Sequence, residues 1–165
     1  MATNVKHPEG QAGPRGERTQ KCETALMDIS KALSWAQGHR TAALITLRRD
    51  GRAQSSDIAY AVMGDTFNIS LTDTRAKTAN MRRDNRVVLH ISDPSAWSYV
   101  SIDAIVELSP VCLAPDDAAA DELVAVYRAV TGGEHSDWGE FRRAMVDEGR
   151  IVARVTPVSV TGQIN

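Results

Sequence analysis

The side chains best suited to chemistry in this sequence gather between Asp73 and Arg86, where Arg75, Lys77, Thr78 and Asn80 crowd the expected start of a short helix. The first turn of a helix leaves backbone N–H groups without partners, and its dipole places partial positive charge there. A cationic pair beside such a turn, with a hydroxyl and an amide in reach, is a donor set for a phosphate or carboxylate. Taken without their neighbours, Arg75 and Lys77 are more simply solvated surface charges.

Two further groups are candidates. Gln54-Ser55-Ser56-Asp57 puts small polar side chains in a strand where apolar residues are expected to alternate into a core. Such a face could hydrogen-bond the edge of a heteroaromatic ring, and it suits a solvent-facing edge strand equally well. Trp97 followed by Ser98 offers an aromatic wall beside a donor, although a Trp after a turn more often packs. Glu134-His135-Ser136-Asp137-Trp138 has the composition of an acid–base cluster, but its place just before a helix assigns it to capping and packing. The sequence has no Gly-x-Ser-x-Gly elbow, no P-loop, no Gly-x-Gly-x-x-Gly and no Cys with an evident His partner, so covalent catalysis has no visible nucleophile.

The elements that must position these residues follow from periodicity. Glu23 to Gln37 carries Ala25, Leu26, Ile29, Leu33 and Ala36 at three- and four-residue steps, which predicts a helix lying against a sheet and ending near Gly38. Thr41 to Val62 reads as two β-rich runs around Asp50-Gly51, a tight hairpin signal, and Gly64-Asp65 leads into a third strand at Thr66 to Leu71, giving a three-strand meander. Asp73 or Thr74 is the expected cap of the short helix. Arg86 to Ile91 and Ser98 to Leu108 are two more strands, joined by the Asp93-Pro94 turn. Pro115 and Gly132-Gly133 bracket a helix with Leu123, Val124, Val126, Tyr127 and Val130 on its apolar side, and another is expected from Ser136 to Glu148. Two closing strands, Arg150 to Val155 and Val158 to Gly162, are separated by Pro157. Strands this consecutive favour a closed or partly closed antiparallel barrel over a doubly wound parallel sheet.

Composition sets the outer bounds. A chain of 165 residues with 42% hydrophobic and 24% charged residues fits one globular domain. A net charge of -2 argues against a basic footprint for nucleic acid. No apolar run approaches the ~18 residues of a membrane span and no signal-peptide core of ~7–15 apolar residues follows the N-terminal charges, so a cytoplasmic protein is expected. Residues 1–20, rich in Gly, Pro, Lys, Arg and Gln with almost no apolar anchor, are expected to be a disordered tail, with residues 21–165 forming the domain. Cys22 and Cys112 read as reduced structural thiols, and the scattered His7, His39, His90 and His135 predict no metal site.

The order and spacing of Asp50-Gly51-Arg52-Ala53-Gln54-Ser55-Ser56, Arg75-Ala76-Lys77-Thr78-Ala79-Asn80-Met81-Arg82-Arg83-Asp84, Trp97-Ser98-Tyr99 and Gly133-Glu134-His135-Ser136-Asp137-Trp138 resemble those of the split β-barrel flavin and deazaflavin proteins related to pyridoxamine phosphate oxidase. The likeness spans nearly all of Thr41 to Val155 and is closest to the actinobacterial reductases that use coenzyme F420. It implies a mainly β (α+β) fold, an antiparallel split β-barrel with flanking helices, assembled as a homodimer with cofactor sites at the subunit interface. By resemblance, Arg75, Ala76, Lys77, Thr78 and Asn80 would hold the cofactor phosphate and tail; Gln54, Ser56, Asp57 and Ser70 would line the ring; Trp97 and Ser98 would approach from the partner. The implied activity is hydride transfer between reduced F420 and a small unsaturated or oxidised organic substrate. An FMN enzyme of the pyridoxamine phosphate oxidase type and a non-catalytic cofactor carrier are the competing expectations.

Overall fold

The computed structural model describes residues 26–165, so the expected tail at residues 1–20 and Cys22 lie outside the described residues. Seven strands form one antiparallel sheet: β1 (Thr41–Leu47), β2 (Ala53–Ala59), β3 (Ala61–Met63), β4 (Thr66–Thr72), β5 (Arg86–Asp93), β6 (Ser98–Leu108) and β7 (Arg150–Gln163), in the order β2-β1-β5-β6-β7-β4-β3. Four helices flank it: α1 (Ile29–Ala36), α2 (Ala76–Arg83), α3 (Ala118–Thr131) and α4 (Trp138–Asp147). Among the described residues no helix is long and apolar enough to cross a membrane.

The β1–β2 hairpin forms where Asp50-Gly51 predicts it. Gly51 takes φ 80°, and Arg48 and Arg52 close the loop through Arg48 N–H on the Arg52 carbonyl at 2.9 Å. The expected three-strand meander does not follow. After β2 the chain turns at Tyr60, whose N–H donates to the Arg40 carbonyl at 3.1 Å and whose hydroxyl donates to the Ala36 carbonyl at 2.9 Å. It then enters the short β3, which pairs with β4 at the opposite end of the sheet. β2 and β4 therefore border a gap in the curled sheet instead of a ladder.

The closing element also differs from expectation, being one continuous strand rather than two. Pro157 cannot donate to a ladder, and the register with β6 shifts there, from Asp103 opposite Ser159 to Ala104 opposite Pro157, which leaves Val158 in a bulge. The count of seven strands survives because β3 was hidden in the run ending at Val62 and the last two expected strands are one. Near the end of β7, Gly162 holds φ 152°, and a Cβ there would stand 2.2 Å from the Tyr99 carbonyl oxygen.

Helix starts follow their caps. α1 begins at Ile29 because the Asp28 carboxylate accepts from Lys31 N–H at 3.0 Å, while Met27 N–H is spent on the Val160 carbonyl; Leu26 therefore lies outside the helix and is exposed. α3 and α4 are capped by Asp117 and Asp137. α2 is the exception. Its N-cap is Arg75, not Asp73 or Thr74, and no side chain caps it; the Asp73 carboxylate instead pairs with Arg82.

Leu44, Phe67, Ile69, Leu89, Ile91, Val100, Ile102 and Val155 fill the barrel interior, with Ala32 and Ala36 of α1 and Met81 of α2 packed against them. A second core, built on Leu123, Val126, Met145, Cys112 and Val152, seats α3 and α4 on the outer face of the sheet. Burial pushes the Cys112 thiol up to about 11, in keeping with an inert structural cysteine. Gly162→Ala is expected to cost about 2–4 kcal/mol, because β6 and β7 must part to admit the methyl group. A denaturant midpoint equal to that of the native chain would show that they have room.

Candidate functional site

A pocket of about 620 Å³ opens at the gap between β2 and β4. Its strand side carries Asp57 and Ala59 of β2, Ser70 and Thr72 of β4 and Arg150 at the start of β7, with Arg75 and Lys77 from the start of α2 at one end. Its helix side is formed by α3 and α4. Ser70 and Thr72 alternate with Phe67, Ile69 and Leu71, so the pleat turns the apolar set into the barrel and the hydroxyls outward into the pocket.

Arg75 and Lys77 hold no ion pair among the described residues, whereas Arg82, Arg86, Arg128, Arg142, Arg150 and Arg154 each do. The N–H groups of Ala76 and Lys77 donate to no internal partner either, as the first bonds of the helix run from Thr78 and Ala79 to the Arg75 carbonyl. Two cations and two free amides thus meet at the mouth of one cavity. Lys77 is half-buried. Burial, then the neighbouring Arg75, lowers its proton affinity below that of an ordinary lysine, and Asp57 pulls in the opposite direction.

The remaining candidates divide. Thr78 is fully buried, and its hydroxyl donates to the Thr72 carbonyl at 3.0 Å, fastening α2 to the end of β4. The Asn80 amide donates to Thr46 Oγ1 and Gln54 Oε1, both at 3.0 Å, and its oxygen accepts from Arg83 at 3.2 Å. Gln54 and Ser56 therefore share the inward face of β2, while Asp57 faces the pocket. β2 is an edge strand, so half its backbone N–H and C=O groups are unladdered along the gap.

Trp97 and Ser98 lie elsewhere, at a depression of about 400 Å³ shared with His90, Asp93 and Tyr99. Trp97 is 83% exposed and is the one non-glycine residue with positive φ, 51°, among the described residues. Two devices hold that turn: Asp93 accepts from Ser95 N–H at 3.0 Å, and Asn165 donates through its amide to the Ala96 and Trp97 carbonyls, both at 3.2 Å. Ser98 is buried, its hydroxyl taken up by Ala96 and Asn165. The Glu134–Trp138 segment does the structural work expected of it. Asp137 caps α4, and Glu134 accepts from both Arg128 and Trp138, with Arg128 stacked 4.7 Å over the Trp138 ring.

Sequence reasoning missed the helical half of the pocket. Leu123, Val126, Tyr127 and Val130 were legible as an apolar helix face, but nothing local signals that part of that face borders a cavity. Asn165 was missed because its bond to the Trp97 turn joins residues far apart in sequence.

The architecture now described has relatives among solved structures. A conserved hypothetical protein from Mycobacterium tuberculosis matches with a TM-score of 0.67 at 20% identity, over 87% of this chain and 89% of that one. The fold is a split β-barrel. An F420 reductase matches with a TM-score of 0.55 at 21% identity, over 74% of this chain and 89% of that one. An FAD-binding protein from Mesorhizobium loti gives 0.60 at 17% identity, over 84% and 93%. Structures of the pyridoxine phosphate oxidase family and heme-binding proteins share the split barrel as well. No protein-family model matches the chain.

Removing the amide in Asn80→Ala would leave Thr46 and Gln54 without their shared donor, and Thr46 is buried. The expected loss is roughly 1–3 kcal/mol of stability, read from chemical denaturation; an unchanged midpoint would mean that water replaces the amide.

Proposed function

We propose that the protein is an oxidoreductase that holds a deazaflavin coenzyme of the F420 type and delivers its hydride to a small unsaturated or oxidised organic substrate. One observation carries the reading: Arg75 and Lys77 stand unpaired beside two free amides at the end of a pocket large enough for a flat coenzyme ring. A phosphate there would meet the Lys77 ammonium, the Arg75 guanidinium and the N–H groups of Ala76 and Lys77 together. The likeness of fold to an F420 reductase agrees with that chemistry.

The bound coenzyme supplies the hydride, which accounts for a site without a nucleophile. The residues of the chain bind, orient and exclude water. Thr78 and Asn80 act behind the grip, tying α2 to β4 and to Gln54, so that the amides of its first turn point at one fixed place. Asp57 and Ser70 present hydrogen-bonding groups to the ring, while Gln54 and Ser56 lie on the opposite face of β2, where Gln54 ties the strand to Asn80 of α2. Trp97 serves from a second copy, on a turn that the buried Ser98 helps hold: its depression is separate from the pocket of its own protomer, and an aromatic ring presented this fully to solvent is suited to closing a neighbour's site. The protein is thus a homodimer acting on small molecules. FMN is the competing ligand, because the same grip suits its phosphate and an FAD-binding protein has the same fold.

Calorimetric titration with F420 and with FMN tests the assignment. Tighter binding of F420 is expected; preference for FMN would move the protein to flavin chemistry, and binding without turnover of any enone or quinone would make it a carrier. Lys77→Ala should weaken binding roughly ten- to a hundredfold, about 1.5–3 kcal/mol for a hydrogen bond to a charged group. Unchanged affinity would remove Lys77 from the site. A pH series adds an independent check. Affinity is full while Lys77 is protonated and falls as pH rises through its lowered pKa, so the decline should begin below the range of an exposed lysine. Lys77→Arg should flatten that profile, since a guanidinium keeps its proton. Sedimentation should find a dimer at micromolar concentration; a monomer would deprive the site of Trp97.

A further inference from the structure

The helical wall of the pocket carries chemistry opposite to that of the strand wall. Leu123, Val126, Tyr127 and Val130 of α3 and Phe141 and Met145 of α4 face the same cavity as Asp57, Ser70, Arg75 and Lys77. Leu123, Val126 and Met145 are buried in the second core and back this wall, while the half-buried Tyr127, Val130 and Phe141 form its open surface. Its rings are fixed in place: Tyr127 meets Phe141 edge to face at 5.0 Å and Trp138 at 5.6 Å, and Trp138 is itself bound to Glu134. Thr131, at the rim, has its hydroxyl engaged with the Tyr127 carbonyl at 2.9 Å. Arg150, the remaining cation of the pocket, is paired with Glu148.

An anionic coenzyme is served by the two cations of the strand wall and finds no cation on α3 or α4 along this one, only the Tyr127 hydroxyl. Resting on the reading of the strand wall as the coenzyme seat, we infer that the α3–α4 wall binds the second substrate, an uncharged, flat, apolar molecule laid across Tyr127, Val130 and Phe141. A rigid aromatic face rewards a flat apolar partner through buried area and ring contacts. A charged group carried onto the same wall would lose most of its water and find only the Tyr127 hydroxyl as a donor there. An anionic substrate would be drawn instead to Arg75 and Lys77 and compete with the coenzyme. Charge therefore sorts the two ligands within one cavity, each to its own side.

The test uses the full chain and two probes built on one ring system, 1,4-naphthoquinone and its 2-sulfonate, titrated by calorimetry without coenzyme and then with oxidised F420, which has no hydride to give. Naphthoquinone should bind in both conditions. The sulfonate should bind the coenzyme-loaded protein at least about tenfold more weakly, because the strand wall is then occupied. Val130→Asp should weaken naphthoquinone by about tenfold or more while leaving F420 affinity within about twofold, and Lys77→Ala should do the reverse. The nearly isosteric Val130→Thr, which preserves the fold, should shift naphthoquinone in the same direction by a smaller factor. Equal binding of the two probes to the loaded protein would overturn the inference. So would a loss of F420 affinity in Val130→Asp matching that of Lys77→Ala, which would give the helical wall to the coenzyme. If the native chain bound no F420 yet naphthoquinone kept its dependence on Val130, the coenzyme assignment would fall and the apolar wall would stand.

Discussion

The gap between β2 and β4 is the constraint on which the site depends. A sheet of this curl would close if those strands laddered, but the chain uses Tyr60 to cross from one sheet edge to the other, and the bonds of Tyr60 to Arg40 and Ala36 fix the crossing. The edge backbone of β2 is left without a partner, and α2 is placed across one end of the opening with its first turn uncapped. Had Asp73 capped α2, its carboxylate would have taken up the amides that are now free beside Arg75 and Lys77. Its pairing with Arg82 keeps that place clear.

Electrostatics and burial act together at Lys77. A lysine wholly in solvent would be screened and would hold a ligand weakly, while one wholly buried without a partner would shed its proton. Partial burial beside Arg75, offset by Asp57, puts it between these limits, where an arriving anion improves the environment of the charge. The scaffold behind it is neutral and fully bonded: Thr78 to Thr72, Asn80 to Thr46 and Gln54. Such a network costs little to keep and holds the helix start rigid.

Much of this was readable from sequence where the signal is local. Asp50-Gly51 announced its hairpin because two residues determine the turn, and Gly132 ended α3 with φ 72° for the same reason. What was misread depended on distant partners. The β-rich run into Val62 kept its pattern straight through Tyr60, so the crossing to another sheet edge left no mark. Pro157 looked like a break because the bulge that absorbs it is defined by Asp103 and Ala104 on another strand. Asp73 looked like a cap because Arg82 was not known to be within reach. In the candidate site, the Arg75–Lys77 pair stood out in one short segment, whereas the cavity beside it is assembled from four separate stretches of chain.

The placement of β7 bears on how the molecule comes into being. It is last among the described strands in sequence yet central in the sheet, with β6 on one side and β4 on the other. Until it is synthesised, β2, β1, β5 and β6 can form one partial sheet and β3 with β4 an isolated hairpin, but no ladder joins them. Two-stranded hairpins are marginal alone, and pairings between distant segments form slowly. On the ribosome, the exposed flanks of β6 and β4 must wait for the same late segment, which makes the nascent chain, more than the finished barrel, the form most at risk of aggregating.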